Sequence, residues 1–401
     1  MYAAQARLYF IDWLRIIAFF LLILYHVGMY YVSWDWHVKS PAASDAIEPL
    51  MMLSSPWRLS LLFLVSGVAS SCMLAKIPAG RFARQRSWRL LLPLVFGMLV
   101  IVPPQAYFEV IEKLQYQGSY GDFMRLYVSG YALFCKEGDC LDLPTWNHLW
   151  FLPYLWVYAM LFALLAARLG PRLDRGAARL ARLLAGWRLI VLPAIAVGII
   201  RVLLAPQFPS THGLFDDWFN HANYFFLFML GAMMARQVDI WPHVEALRWP
   251  AFGLALACWA ALIIYYSLPE NLTLDPQQHA WRVLMRWVYA SCAWCAIVAA
   301  CGFARRHLNF DNPGRRYLTQ AVFPVYIVHQ TLIVSIAHLI KPAGIAPPAE
   351  ALVLVVLTLC ISFGVVEAVR RLAPVRPLFG LARSAQGAPG RKAEKPATAN
   401  C

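Results

Sequence analysis

Three ionisable residues, Asp12, Arg15 and His26, interrupt an otherwise apolar stretch near the start of the chain. Ionisable groups are expensive in hydrocarbon, so their presence points to chemistry. At about 100° per residue, the steps from Arg15 to His26 return to within ~20° of one helix face, and those from Asp12 to within ~40°. One stripe therefore carries a carboxylate and a guanidinium at its start and an imidazole about 16 Å further along. An imidazole titrates near neutral pH and is a natural general base. Asp12 and Arg15 also have the i,i+3 spacing of a structural ion pair.

Further polar groups stand at corresponding ends of other apolar segments. His148 and Trp150 lie in Trp146-Asn147-His148-Leu149-Trp150-Phe151-Leu152, and His221 and Asn223 begin another segment. Tyr326 and His329 share one face of a late segment, three residues apart. Trp36 and His37 fall in the aromatic loop Trp34-Asp35-Trp36-His37. Rings flanked by hydrogen-bonding groups suit a sugar, whose C–H faces stack on them. Elsewhere Arg84, Arg86 and Arg89 crowd the segment before the third apolar run. Their planar forks suit phosphate. The histidines lack the short ligand spacings of zinc sites, so no metal is expected.

These residues need a frame, and the composition names it. Of 401 residues, 61% are hydrophobic and 14% charged. A soluble core of this size could not hide so much apolar surface. Runs of about 20 apolar residues are long enough to cross a bilayer. The expected fold is all-α, a polytopic integral membrane protein of about ten transmembrane helices. The spans fall near 10–32, 57–76, 88–105, 146–167, 187–205, 219–237, 250–268, 284–303, 318–340 and 351–371. Trp57, Trp88, Trp146, Trp187, Trp218 and Trp249 sit at span ends, as an interfacial belt requires.

Charge sets the orientation. With the N-terminus inside, 25 of the 35 Lys and Arg fall on cytosolic segments. The bias predicts N-in and C-in. It also explains the net charge of +14, so no nucleic-acid partner is expected. The long segment near 106–145 is then external and carries Cys135 and Cys140, spaced for a small disulfide hairpin. Residues 1–381 read as one transmembrane domain and 382–401 as a disordered cytosolic tail.

At these residues the chain resembles acyltransferase family 3, the bacterial membrane O-acyltransferases. Arg15 and His26 match that family's Arg-x10-His motif, and Phe63-Leu64-Val65-Ser66-Gly67 its Phe-x-x-Ser-Gly. Arg86-Ser87-Trp88-Arg89 resembles its Arg-x-x-Arg, His148 to Leu152 its His-x-Trp-Phe-Leu, and Tyr326 to His329 its Tyr-x-x-His. Trp36 to Ser40 and the stretch from Val366 to Gly380 are similar to the members that succinylate periplasmic glucans.

The resemblance implies acyl transfer from cytosolic acyl-CoA, as succinyl-CoA or acetyl-CoA, to a periplasmic glycan hydroxyl at the bacterial inner membrane. The expected partners are the lipid bilayer, the glycan acceptor and acyl-CoA. Arg84, Arg86, Arg89 and Arg15 would hold the donor, and Trp36, His37, His148, Trp150, His221 and Asn223 the acceptor. His26 would be the base, with Asp12 and Arg15 on the same helix stripe nearer the cytosol, and Ser66, Tyr326 or His329 giving a hydrogen bond to the oxyanion. The competing expectation is a transporter or flippase for a glycan or organic anion, with the same ionisable groups lining a path. The chain shows no inverted repeat of the kind many transporters carry.

Overall fold

In hydrocarbon each segment must satisfy its own backbone hydrogen bonds, and this chain does so with helices. The computed structural model describes residues 8–136, 138–269 and 278–382. Most of the expected tail, 383–401, lies outside the described residues. The helices are α1 (Tyr9–Tyr31), α2 (Glu48–Ser54), α3 (Arg58–Leu74), α4 (Ala79–Phe96), α5 (Pro103–Leu114), α6 (Tyr120–Ser129), α7 (Phe151–Leu169) and α8 (Pro171–Leu183). They continue as α9 (Arg188–Leu204), α10 (Trp218–Met234), α11 (Ile240–Ala246), α12 (Arg248–Tyr266), α13 (His279–His307), α14 (Pro313–Ile340) and α15 (Pro347–Arg371). The strands β1 (Cys135–Lys136) and β2 (Asp139–Cys140) form one antiparallel hairpin, closed by the Cys135–Cys140 disulfide.

Seven helical stretches are each long and apolar enough to cross a membrane, and up to nine if two bent pairs each count as one span. The 17-residue α10 supplies a further long apolar helix where a span was expected. Large apolar side chains such as Leu24, Val95, Leu164, Ile195, Ile264 and Val356 are exposed on these helices. A surface of that kind belongs against lipid. The chain is thus a multi-pass membrane protein.

The bends have local causes. α4 starts at Ala79, so Arg84, Arg86 and Arg89 stand on the helix itself and not in a loop before it. It runs into a π-helical turn at Gly97–Ile101 and bends by 41° into α5. Pro103 and Pro104 open α5, where a missing N–H costs nothing to the new helix but cannot continue the old one. α8 meets α9 at 109°. Gly186, with φ 60°, lies in that turn. The long segment expected to be external holds α5, α6 and the hairpin, and Ser119 with Asp122 forms a capping box at the start of α6.

α1 sits centrally and packs on α3, α13, α14 and α15. The main core joins Phe10, Phe63, Tyr154, Phe228, Trp294 and Ile327 from six of the long helices. α3 crosses α10 with the backbones nearly touching. A Cβ on Gly67 would overlap the Phe228 carbonyl, and one on Gly231 would overlap the Leu64 carbonyl. Small residues at a crossing are what permit such an approach. Gly67→Ala and Gly231→Ala should each cost about 1–3 kcal/mol of stability. Both should lower the apparent Tm of the purified protein in detergent, and an unchanged Tm for both would refute the close crossing.

Candidate active site

His26 lies near the end of α1, and His329 is fully buried on α14. The rings approach to 2.9 Å between His26 Nδ1 and His329 Nε2, with planes 15° apart. What brings them together is the pairing of α1 with α14. At its other end that pair is closed by ions. Asp12 binds Arg15 at 3.3 Å and also Arg315 of α14, which in turn binds Asp311 at 2.7 Å. Asn312 caps α14 by accepting from the Arg315 backbone N–H at 2.7 Å, which holds this cluster in register.

The protons of the histidines follow from their neighbours. His329 Nδ1 faces the Tyr326 carbonyl oxygen at 2.7 Å. A carbonyl only accepts, so His329 carries its hydrogen on Nδ1. In the neutral ring Nε2 is then an acceptor, and His26 must donate from Nδ1. His26 Nε2 is left with a lone pair. His148 obeys the same logic. Its Nε2 donates to the Ile327 carbonyl at 3.0 Å, and its Nδ1 accepts from Gln105 Nε2 at 3.3 Å.

This order extends outward through two amides. Gln105 Oε1 accepts from Asn147 at 3.2 Å and from Gln330 Nε2 at 3.1 Å. Gln330 also donates to His37 Nε2 at 3.0 Å. His37 Nδ1 then donates to Glu109 Oε2 at 2.5 Å, and Glu109 pairs with Lys113 at 3.0 Å. Every member of this network has a partner, which is the condition for burying one.

His26 lines a cavity of about 650 Å³. Its wall includes Trp36, His37, His148, Trp150, Asn223 and Tyr326 from the residues expected at the site. Trp36 stacks on His26 with ring centroids 6.3 Å apart. Trp150 stacks on His212 at 4.3 Å and on Tyr224 at 5.9 Å. His212 comes from the loop before α10, with φ 56°, a left-handed conformation uncommon outside glycine. Burial holds its imidazole below the ordinary value, against the opposing pull of Asp217.

Other expected residues lie elsewhere. His221 faces Tyr154 and Tyr158, bound to the Tyr158 hydroxyl at 3.0 Å and the Leu214 carbonyl at 2.9 Å, and it does not line the cavity. Ser66 is half-buried on α3 beside the Gly67 crossing, also off the cavity wall. The Tyr326 hydroxyl donates to the His148 carbonyl at 2.5 Å. Tyr326 and His329 therefore spend on carbonyls the protons expected for an oxyanion.

At the basic end a second cleft of about 840 Å³ is lined by Arg84, Trp88, Arg89, Arg370 and Arg376. Arg86 turns away from it and donates to Ser70 at 3.0 Å. Arg15 stays with Asp12. Gln105, Gln330, His212, Tyr224, Arg370 and Arg376 escaped the sequence reading. Gln330 had a visible signal, a polar residue next to His329 inside an apolar run.

With this geometry in view, comparison with known proteins is informative. The acyltransferase domain that defines acyltransferase family 3 matches residues 8–367, and the chain belongs to that family. It is 23% identical over 347 residues to glucans biosynthesis protein C of Escherichia coli strain K12, covering 84% of each chain. The protein of the same name from E. coli O6:K15:H31 is 24% identical over 348 residues, again with 84% of each chain covered. No solved structure matches the chain. The protein is accordingly a membrane O-acyltransferase.

If His329 sets the proton on His26, His329→Leu should lower kcat about 10-fold to 100-fold and leave the KM for the acyl donor nearly unchanged. His329→Gln, whose side-chain oxygen can still accept from His26 Nδ1, should recover part of the loss. Equal loss in both variants would show that shape alone matters at this position.

Proposed function

We propose that this acyltransferase moves an acyl group, succinyl or acetyl, from cytosolic acyl-CoA to a hydroxyl of a periplasmic or cell-envelope glycan at the bacterial inner membrane. The observation that carries the reading is the lone pair on His26 Nε2, on a residue lining a cavity walled by aromatic rings and amides. The relatives' name, glucans biosynthesis protein C, supports a glucan as the acceptor.

The excess of Lys and Arg at the end that carries Arg84 and Arg89 supports a cytosolic position for that end. The cleft there suits a nucleotide thioester. Arg84, Arg89, Arg370 and Arg376 offer forks for its phosphates, and the exposed Trp88 offers a face for its base. The acyl end reaches His26 from the cytosolic side, and the sugar reaches it from the other. Trp36, Trp150, His212 and Tyr224 supply rings for the sugar's C–H faces, and Asn223 an amide for its hydroxyls.

In the transfer, the sugar hydroxyl gives its proton to His26 Nε2 while its oxygen attacks the thioester carbonyl carbon. The new C–O bond forms, the C–S bond breaks, and the thiolate of CoA leaves with the proton held on His26. During this step His26 is an imidazolium, and its Nδ1–H stays bonded to His329 Nε2, which steadies the charge. Proximity supplies much of the remaining acceleration, because donor and acceptor are held together at one nitrogen.

Two measurements test this reading. The first is acceptor-dependent CoA release by the purified protein with succinyl-CoA or acetyl-CoA and a periplasmic glucan. His26→Ala should lower it about 100-fold to 10,000-fold. A folded wild type that releases no CoA with any donor, while His26→Ala still loses its cellular phenotype, would move transport to the front. Radiolabel kept on the protein in a single turnover without acceptor would replace direct attack by an acyl-histidine intermediate. The second concerns the cleft. Arg89→Gln and Arg376→Gln should raise the KM for acyl-CoA about tenfold each with little change in kcat. A change in kcat alone would place the donor elsewhere.

A further inference from the structure

The cavity around His26 contains two positive charges that acyl transfer, as described, does not use. Arg58 opens α3 and Arg201 lies near the end of α9, and both line the cavity. Arg58 is only 3% exposed. Its guanidinium stands 3.8 Å from the ring centroid of Tyr25, the residue before His26, and donates to the Ser54 hydroxyl at 3.2 Å. Arg201 stands 3.5 Å from the ring centroid of Tyr289 and 5.5 Å from that of Phe219. The Nε of each is buried without a hydrogen-bond partner among the described residues.

Neither guanidinium pairs with a carboxylate among the described residues. Asp35, on the cavity wall, is taken by Lys113 at 2.8 Å. Asp217, fully buried nearby, accepts on Oδ2 from Tyr154 at 2.7 Å, from Asn220 at 2.9 Å and from the His212 backbone at 3.1 Å. The other strongly buried arginine, Arg315, has two carboxylates. A desolvated cation without a counter-ion is costly, and an aromatic face returns only part of that cost. Arg58 is such a cation, the half-buried Arg201 adds a second positive charge on the same cavity wall, and the planar fork of arginine fits a carboxylate.

The position of Arg58 selects which anion. It packs on Tyr25, whose ring centroid lies 6.0 Å from that of His26, and it lines the same cavity. An anion held there is therefore close to the reacting atoms. His26, Arg58 and Arg201 line one cavity, so a short diacid chain with its thioester carbon at His26 keeps its far carboxylate within the same walls. The rings of Trp36, Trp150 and Tyr224, which suit the sugar, carry no charge.

We propose that Arg58 and Arg201 clasp the free carboxylate of a dicarboxylic acyl group during transfer, and so select a diacid such as succinyl over acetyl. The proposal rests on the acyl-transfer reading above.

The test uses the purified full chain, an uncharged glucan acceptor, and succinyl-CoA and acetyl-CoA as donors. Binding of free succinate and acetate is followed in parallel by thermal shift. The wild type should prefer succinyl-CoA and be stabilised by succinate more than by acetate. In Arg58→Gln and Arg201→Gln the ratio of kcat/KM for succinyl-CoA to that for acetyl-CoA should fall roughly tenfold or more. The succinate shift should vanish, and Arg58→Lys should fall between wild type and Arg58→Gln. Residual transfer from acetyl-CoA reports that each variant is folded.

An equal fall with both donors would overturn the proposal, since an arginine serving the oxyanion or the fold would not discriminate. So would a wild type without preference, or an effect seen only with an acceptor that carries its own anionic groups. If no donor supports transfer yet succinate still stabilises wild type and not the variants, the clasp stands and the acyl-transfer reading falls.

Discussion

The Tyr326 carbonyl oxygen accepts a hydrogen from His329, and the site's chemistry depends on that contact. A carbonyl has no proton to offer, so the donor and acceptor roles of His329 are settled, and those of His26 after it. The proposed base, His26, is bonded to His329 and to no carboxylate among the described residues. Where a serine-protease triad uses a carboxylate to fix the tautomer of its histidine, a second imidazole does so here. A neutral imidazole backed by a backbone dipole accepts a proton and releases it to the leaving group.

The same constraint explains why so much polar structure is buried next to it. His148, Gln105, Gln330 and His37 could each adopt more than one hydrogen-bonding arrangement alone. Two carbonyls of α14 and the Glu109 carboxylate leave them one. A network satisfied in a single way is rigid, and rigidity holds the His26 ring in one place on the cavity wall.

The helices serve this by separating tasks along their length. α1 and α14 are closed by the Asp12, Arg315 and Asp311 ions at one end and by the paired histidines at the other. Asp12 thus acts through helix placement, in line with the structural reading of its i,i+3 spacing to Arg15. The glycine crossing of α3 and α10 likewise draws together two walls of the cavity, Arg58 on one helix and Asn223 with Tyr224 on the other. Gly67 and Phe63 of the Phe-x-x-Ser-Gly motif are packing residues here: Phe63 is fully buried, 4.5 Å from Tyr224 and 4.6 Å from Phe151.

What the amino-acid order alone determined was whatever depends on local periodicity and on the cost of charge in hydrocarbon. Apolar runs placed most of the long helices to within a few residues, though α4 begins at Ala79 and not near 88, and the cost of burying His26, Tyr326 and His329 marked them as candidates for the chemical centre. Motif spacing marked the family, because each motif lies within one helix turn or one helix face. Local order could not say which side chains meet across helices. Arg84 and Arg89 reach the basic cleft while Arg86, between them in sequence, turns to Ser70, because their directions on α4 differ. His221 turned to Tyr158 for the same reason, and Arg370 and Arg376 joined the cleft from the far end of the chain. The tautomer of His26 was likewise beyond the sequence, since it is set by a carbonyl on a helix some 300 residues away. Only packing in three dimensions brings that oxygen, that ring and that base into line.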